Sequence, residues 1–169
     1  MKLKIYVKRL NTKDKNVRIK QPIPKVIVKG DWVDLRANSS ITFEGTWDTV
    51  SGIQYIPLGV AMRLPKGFEA IVVPRSSTPK NFKIICPNSF GVIDNSYQGN
   101  KDEWKFPAIA LAPTKIEYGD RICQFRIQLS QKASFWDKLK WLMCSGIEFV
   151  EVGDLGMYNR GGFGSTGKD

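Results

Sequence analysis

The chain has no histidine. That removes serine–histidine and cysteine–histidine nucleophile pairs, together with the commonest zinc ligand. Its three cysteines, Cys86, Cys123 and Cys144, are odd in number and lack the spacing of a metal site. They are expected to be reduced and structural, in a cytoplasmic setting. No apolar run approaches the roughly 20 residues of a membrane span. The opening MKLKIYVKRL alternates charged and apolar residues and does not have the form of a secretory leader. Helical periodicity is scarce too, and shows in one segment only. What remains is a chain of 169 residues, the size of one domain with a real core.

Acidic residues are outnumbered, 16 against 26 lysines and arginines, for a formal charge of +10. The excess sits at one end: residues 1–30 hold ten Lys/Arg and one Asp. A basic end suits nucleic acid, an anionic substrate or a solvated face. The last reading is favoured, because Lys2, Lys4 and Lys8 alternate with Leu3, Ile5 and Val7 as on a strand with one wet face.

Period-two alternation governs most of the rest and predicts strands. Inward-facing sets are Leu3/Ile5/Val7, Val60/Met62/Leu64 and Cys123/Phe125/Ile127/Leu129. Further strands are expected at 41–43, 55–58, 70–73, 84–86, 91–93, 106–112 and 147–152, and loops at 11–22 and 44–52. Pro65-Lys66-Gly67 is a turn, and residues 94–99, DNSYQG, have the composition of a hairpin tip. Many short strands with Gly/Pro punctuation indicate an all-β sandwich or barrel. The exception is Phe135, Trp136, Leu139, Leu142 and Met143 at helical spacing, with Ser134 and Asp137 as a capping pair and Gly146 as a stop. This inserted helix near 134–144 is expected to lie on the body or at a subunit contact.

Chemistry concentrates in residues 74–99, PRSSTPKNFKIICPNSFGVIDNSYQG, and in the tail RGGFGSTG at 160–167. Asp94 follows the apolar pair Val92-Ile93 and precedes a turn, where a carboxylate can orient and deprotonate a water. On spacing alone the favoured reading is that it merely binds turn amides. Arg75, Ser76 and Ser77 offer a planar fork and two hydroxyls to phosphate oxygens. Gln124 points away from the core on its strand. In the tail, glycines expose successive N–H groups to an anion. There Arg160 adds charge, Ser165 and Thr166 add hydroxyls, and Phe163 offers a face for a base.

Five segments, in order, resemble the trimeric dUTPases. They are VDLRA at 33–37, PRSS at 74–77, GVIDNSYQG at 91–99, GDRICQ at 119–124 and RGGFGSTG at 160–167. The resemblance implies a jelly-roll-like distorted β-barrel over residues 1–158 and a flexible glycine-rich flap over 159–169, in a phage-like or bacterial branch of the family. It implies cleavage of dUTP to dUMP and pyrophosphate with Mg²⁺, in a homotrimer whose three sites are shared between subunits. Asp94 then corresponds to the base that activates water at the α-phosphorus. Tyr97 packs under the deoxyribose, Asn88 lies near the base, and Gly91, Val92 and Ile93 with Asp94 present the backbone that reads uracil. Arg75, Ser76, Ser77 and Gln124 correspond to phosphate contacts. Arg160, Phe163, Gly164, Ser165 and Thr166 close over nucleotide from a neighbouring subunit. No direct protein ligand to the metal is implied; Mg²⁺ rides on the triphosphate through waters, with Asp34 supporting that end. The loop 100–105, NKDEWK, and the helix stand out as additions. A dCTP deaminase of the same superfamily and a non-enzymatic basic β-barrel binding nucleic acid or protein are the alternatives. Neither a membrane nor a specific nucleic acid is expected as a partner.

Overall fold

The computed structural model describes residues 1–28, 30–45 and 52–162. Phe163, Gly164, Ser165 and Thr166, and most of the polar 44–52 connection, therefore lie outside the described residues.

Twelve strands and two short helices are described. In chain order the first strands are β1 (Leu3–Arg9), β2 (Val33–Arg36), β3 (Ile41–Phe43), β4 (Gln54–Pro57), β5 (Val60–Arg63) and β6 (Phe68–Pro74). Helix α1 (Thr78–Phe82) is followed by β7 (Ile84–Ile85), β8 (Gly91–Ile93), β9 (Lys105–Ala110), β10 (Thr114–Ile116) and β11 (Arg121–Leu129). Helix α2 (Phe135–Met143) and β12 (Ile147–Glu151) complete the order. The strands form small sheets ordered β12-β1-β5, β10-β3, β2-β11-β6-β8 and β4-β9-β7. No described helix is long and apolar enough to cross a membrane.

The alternations read from the sequence map onto one core. Leu3, Ile5, Val7, Val60, Met62, Cys123 and Phe125 are all buried. Each fully buried side chain of this kind contributes about 1.5–3 kcal/mol. Trp104 and Phe125 meet edge to face at 5.1 Å, and Phe125 meets Phe149 at 6.1 Å, tying β11 to β12. Ile122 is buried beside Cys123 because the register shifts between Arg121 and Cys123, so the pleat is locally broken. The three cysteines are free thiols.

Helix α2 has the expected cap: the Ser134 side chain accepts from the Asp137 amide, and Asp137 accepts from the Ser134 amide. It is held by Trp141, whose ring lies 5.5 Å from that of Phe68. Two expectations need correction. A second helix, α1, interrupts the strands; at five residues it is too short to show a helical period. Residues 94–99 do turn, with the Tyr97 amide donating to the Asp94 carbonyl at 3.2 Å, but they are not a hairpin tip. The preceding strand β8 pairs with β6, whereas the following β9 pairs with β4 and β7. The turn therefore passes the chain from one sheet to another.

Candidate active site

Two clusters hold the candidate residues. The first is built on β2, β11 and the end of β6. Asp34 lies opposite Gln124, which lies opposite Val73. The Asp34 side chain is only 13% exposed and receives two guanidiniums, Arg75 Nε at 3.0 Å and Arg121 Nη1 at 3.1 Å. Of its oxygens, Oδ1 meets Arg75 at ion-pair distance but without hydrogen-bond alignment. Arg75 also donates to the Arg121 carbonyl. The loop bearing Ser76 and Ser77 is fixed by Thr78, which is buried. Its hydroxyl donates to the Ile122 carbonyl at 2.7 Å and accepts from the Arg75 amide at 3.0 Å. Thr78 then starts α1 with Pro79 in its first turn, and the Ser77 hydroxyl makes no capping bond. Asp34 and Arg121 also line a cleft of ≈ 200 Å³ together with Pro22 and Pro24.

The second cluster is the turn after β8. The Asp94 carboxylate accepts from the Ser96 amide at 2.8 Å and from the Ser96 hydroxyl. Arg160 Nη1 lies 3.4 Å away. Partial burial pushes the Asp94 carboxyl up. The Ser96 hydroxyl and amide, with the charges of Arg160 and Lys132, outweigh it and leave the net shift downward. The side chain is half exposed, so Asp94 presents an ionised carboxylate to solvent from a fixed turn. Asn95 anchors that turn, accepting from the Gly67 amide at 3.1 Å and donating to the Pro65 carbonyl at 3.0 Å. Tyr97 is half-buried. Its phenol donates to the Glu103 carbonyl at 2.8 Å and is pushed up to about 12 by burial, then by Asp102 and Glu103. It therefore stays neutral and acts as a packing surface. Asn88 accepts from the Cys86 thiol at 3.0 Å in the loop leading to β8. Val92 is exposed, while Gly91 and Ile93 are partly covered.

Sheet geometry separates the clusters. Ile93 pairs with Ala70, which sets Asp94 beside Glu69, whereas Arg75 follows Pro74 at the other end of β6. Six residues of strand span about 20 Å at ~3.3 Å per residue. Strands β2 and β8 are also the two edges of their sheet, with β11 and β6 between them. One chain thus holds the candidate residues in two separate groups: Asp34, Arg75, Ser76, Ser77 and Gln124 in one, Asp94, Tyr97 and Arg160 in the other. Arg121 and Thr78 belong to the first, although they stood out less in the sequence than Arg75 did.

A dUTPase family model matches residues 33–139, the span holding both clusters except Arg160. The chain belongs to the dUTPase family. It is 50% identical over 139 residues to the SPbeta prophage-derived deoxyuridine 5'-triphosphate nucleotidohydrolase YosS of Bacillus subtilis, covering 82% of this chain and 85% of that one. To the deoxyuridine 5'-triphosphate nucleotidohydrolase of Finegoldia magna it is 34% identical over 151 residues, 86% and 92% of the two chains. Two solved structures share the fold at lower identity. The dUTPase of Streptococcus mutans superposes with a TM-score of 0.57 at 21% identity, covering 66% of this chain and 88% of that one. The dUTPase of S. aureus phage phi11, whose structure includes a structural Mg(II) ion, gives 0.59 at 17% identity, covering 78% and 94%. The jelly-roll-like expectation from the motifs is therefore the observed dUTPase fold.

The dUTPase family uses Mg²⁺. Among the described residues no group of three or more Cys, Asp or Glu side chains is placed to hold a metal. Asp34, the carboxylate nearest the phosphate-type residues, is occupied by two arginines. That donor set fits a cation that arrives with oxygen ligands of its own, as Mg²⁺ does on a triphosphate.

Proposed function

We propose that the chain hydrolyses dUTP to dUMP and pyrophosphate, with Asp94 as the general base. A water oxygen attacks the α-phosphorus, the bond from that phosphorus to the bridging oxygen breaks, and pyrophosphate leaves. The water's proton passes to the Asp94 carboxylate. The observation that carries this reading is the state of Asp94: solvent-accessible, ionised and held by Ser96 on a turn that Asn95 pins to the body. A base must be both reachable and unprotonated at working pH. Tyr97 offers a neutral ring wall beside it, against which a 2′-hydroxyl would crowd. Gly91, Val92 and Ile93 present backbone to the uracil edge, with Asn88 at the entrance.

The phosphates take Arg75, Ser76, Ser77 and Gln124 from a neighbouring copy, in a homotrimer with shared sites. The separation of about 20 Å within one chain supports this. Asp34 is then the holder of Arg75 and Arg121, keeping both guanidiniums aligned for phosphate oxygens. Mg²⁺ supplies charge neutralisation on the triphosphate. Arg160 and the tail residues Phe163, Gly164, Ser165 and Thr166 close over the nucleotide.

Pyrophosphate release from each of the four common dNTPs and dUTP, with and without Mg²⁺, tests the reading. Release confined to dUTP and dependent on Mg²⁺ is expected. Release of ammonia from dCTP, or hydrolysis of all dNTPs alike, would overturn it.

A further inference from the structure

Helix α2 adds little to the core, yet it is pressed against the body beside the Asp94 turn. None of its nine residues is buried, and Phe135, Trp136 and Leu142 are more than two-thirds exposed. Next to the contact of Trp141 with Phe68, the helix meets Gly67. That residue has φ +79°, and a Cβ there would stand 2.4 Å from the Asp137 carboxyl carbon and 2.5 Å from its Oδ2. Backbone conformation and space both reserve the position for glycine. Asp137 is itself held, since its Oδ2 accepts from the Ser134 amide at 2.8 Å and the Ser134 hydroxyl at 2.6 Å. The capping box that starts the helix thus also fixes the carboxylate that fills the space over Gly67.

On its other side Gly67 is bonded to the Asp94 turn. Its amide donates to Asn95 Oδ1 at 3.1 Å, and Asn95 Nδ2 donates back to the Pro65 carbonyl at 3.0 Å. The Gly67 carbonyl accepts from the Ser130 amide at 2.9 Å, in the linker that leads from β11 into α2. That linker closes on itself, with the Ala133 amide donating to the Ser130 carbonyl at 3.0 Å. It carries Lys132, one of the charges that keep Asp94 ionised. Helix cap, Gly67 and Asn95 form a continuous series of contacts that ends one residue from Asp94.

We propose that α2 is a buttress for the Asp94 turn, and that Asp137, Gly67 and Asn95 are the positioning residues through which it acts. None of them touches a reacting atom. The consequence for rate rests on Asp94 being the base; the buttress itself does not. Misplacing a reacting group by about 1 Å costs up to about a hundredfold in rate, so a loosened turn lowers kcat far more than it changes KM.

Two readouts on the full chain test this. One is hydrogen exchange, by mass spectrometry, of the peptide spanning residues 94–98, whose Ser96 and Tyr97 amides donate to Asp94. The other is kcat and KM on dUTP. Asp137→Ala and Asn95→Ala should each speed that exchange at least about threefold. Each should lower kcat by about three- to thirtyfold, with KM within about threefold. Asp137→Asn keeps the shape and one acceptor oxygen, and should stay near wild type in both readouts. The double variant Asn95→Ala/Asp137→Ala should be no worse than Asn95→Ala in exchange or kcat, because the helix has then lost its route to the turn. Its thermal transition should still fall further, since the cap also serves the helix. In an enzyme active on dUTP, wild-type exchange or wild-type kcat in Asp137→Ala would overturn the buttress, as would effects that simply multiply in the double variant. An Asp137→Asn variant as impaired as Asp137→Ala would make the effect one of charge and overturn it too. If the double variant does not fold, the single variants decide. Should the exchange pattern hold in a protein that does not hydrolyse dUTP, the buttress stands and the proposed function falls.

Discussion

Replacing Asp94 with asparagine separates its two roles by size. As a structural residue, Asp94 accepts from the Ser96 amide and hydroxyl and pairs with Arg160 at 3.4 Å across an exposed surface. An exposed ion pair is worth about 0–1 kcal/mol, and the amide oxygen of asparagine can still accept from Ser96. Loss of these contacts alone would change any rate through folding or binding by less than about tenfold. As the base, Asp94 supplies proton transfer in the transition state, worth about 10²–10⁴ in rate, or about 3–5 kcal/mol of barrier. Asp94→Asn should therefore lower kcat by at least about a hundredfold while leaving the thermal transition nearly unmoved. Affinity for a non-hydrolysable dUTP analogue should hold or rise, because a negative charge beside the phosphates has been removed. Steady-state pyrophosphate release, a melting curve and analogue titration together check this. A kcat within tenfold of wild type would refute the assignment of the base, and a collapsed melting curve would assign Asp94 to the fold.

The pH profile follows from the same turn. The Asp94 carboxyl is held below the usual carboxylate range, so kcat/KM should lose its base only as pH falls through that lowered value, staying flat from about pH 5 upward. Ser96→Ala removes the leading downward influence and leaves burial pushing up; the acid limb should move to higher pH, and an unmoved limb would exclude Asp94 as the titrating group. Because the described residues build no metal cage, Mg²⁺ titrated calorimetrically into the free protein should give no saturable binding, whereas it should restore turnover to chelator-treated enzyme supplied with dUTP.

Much of the barrel was legible because its strands have one wet face. Leu3, Ile5 and Val7 alternate with lysines, and burial follows that alternation. The cap of α2 was legible because Ser134 and Asp137 act within four residues. What escaped depended on distant partners. Whether β8 returns into β9 or joins β6 is settled by long-range register, and nothing local in DNSYQG distinguishes the two. Arg121 took no role of its own from the sequence, because only the pairing of β2 with β11 brings Asp34 beside it.

The distance between the two clusters makes the shared site testable without a structure of the assembly. Arg75 is turned to Asp34 at one end of β6, and Asp94 stands at the other, about 20 Å along the strand. If each site takes its base from one chain and its phosphate grip from another, Asp94→Asn and Arg75→Ala damage different halves. Each homogeneous variant should be nearly inactive. In a 1:1 mixture, unfolded and refolded together, a site is whole when both contributing chains happen to be intact at the relevant half. Random assembly into a closed trimer makes that about one site in four. Activity should therefore recover to roughly a quarter of wild type per site, far above either parent. If a chain instead completes its own site, neither parent chain has both residues, and the mixture stays at the parental level. Recovery without refolding would point to subunit exchange, which an order-of-mixing control at low concentration detects. No recovery after refolding, with trimers shown by light scattering, would mean that Arg75 and Asp94 of one chain act on the same nucleotide, and the separation along β6 would have to be bridged by the ligand itself.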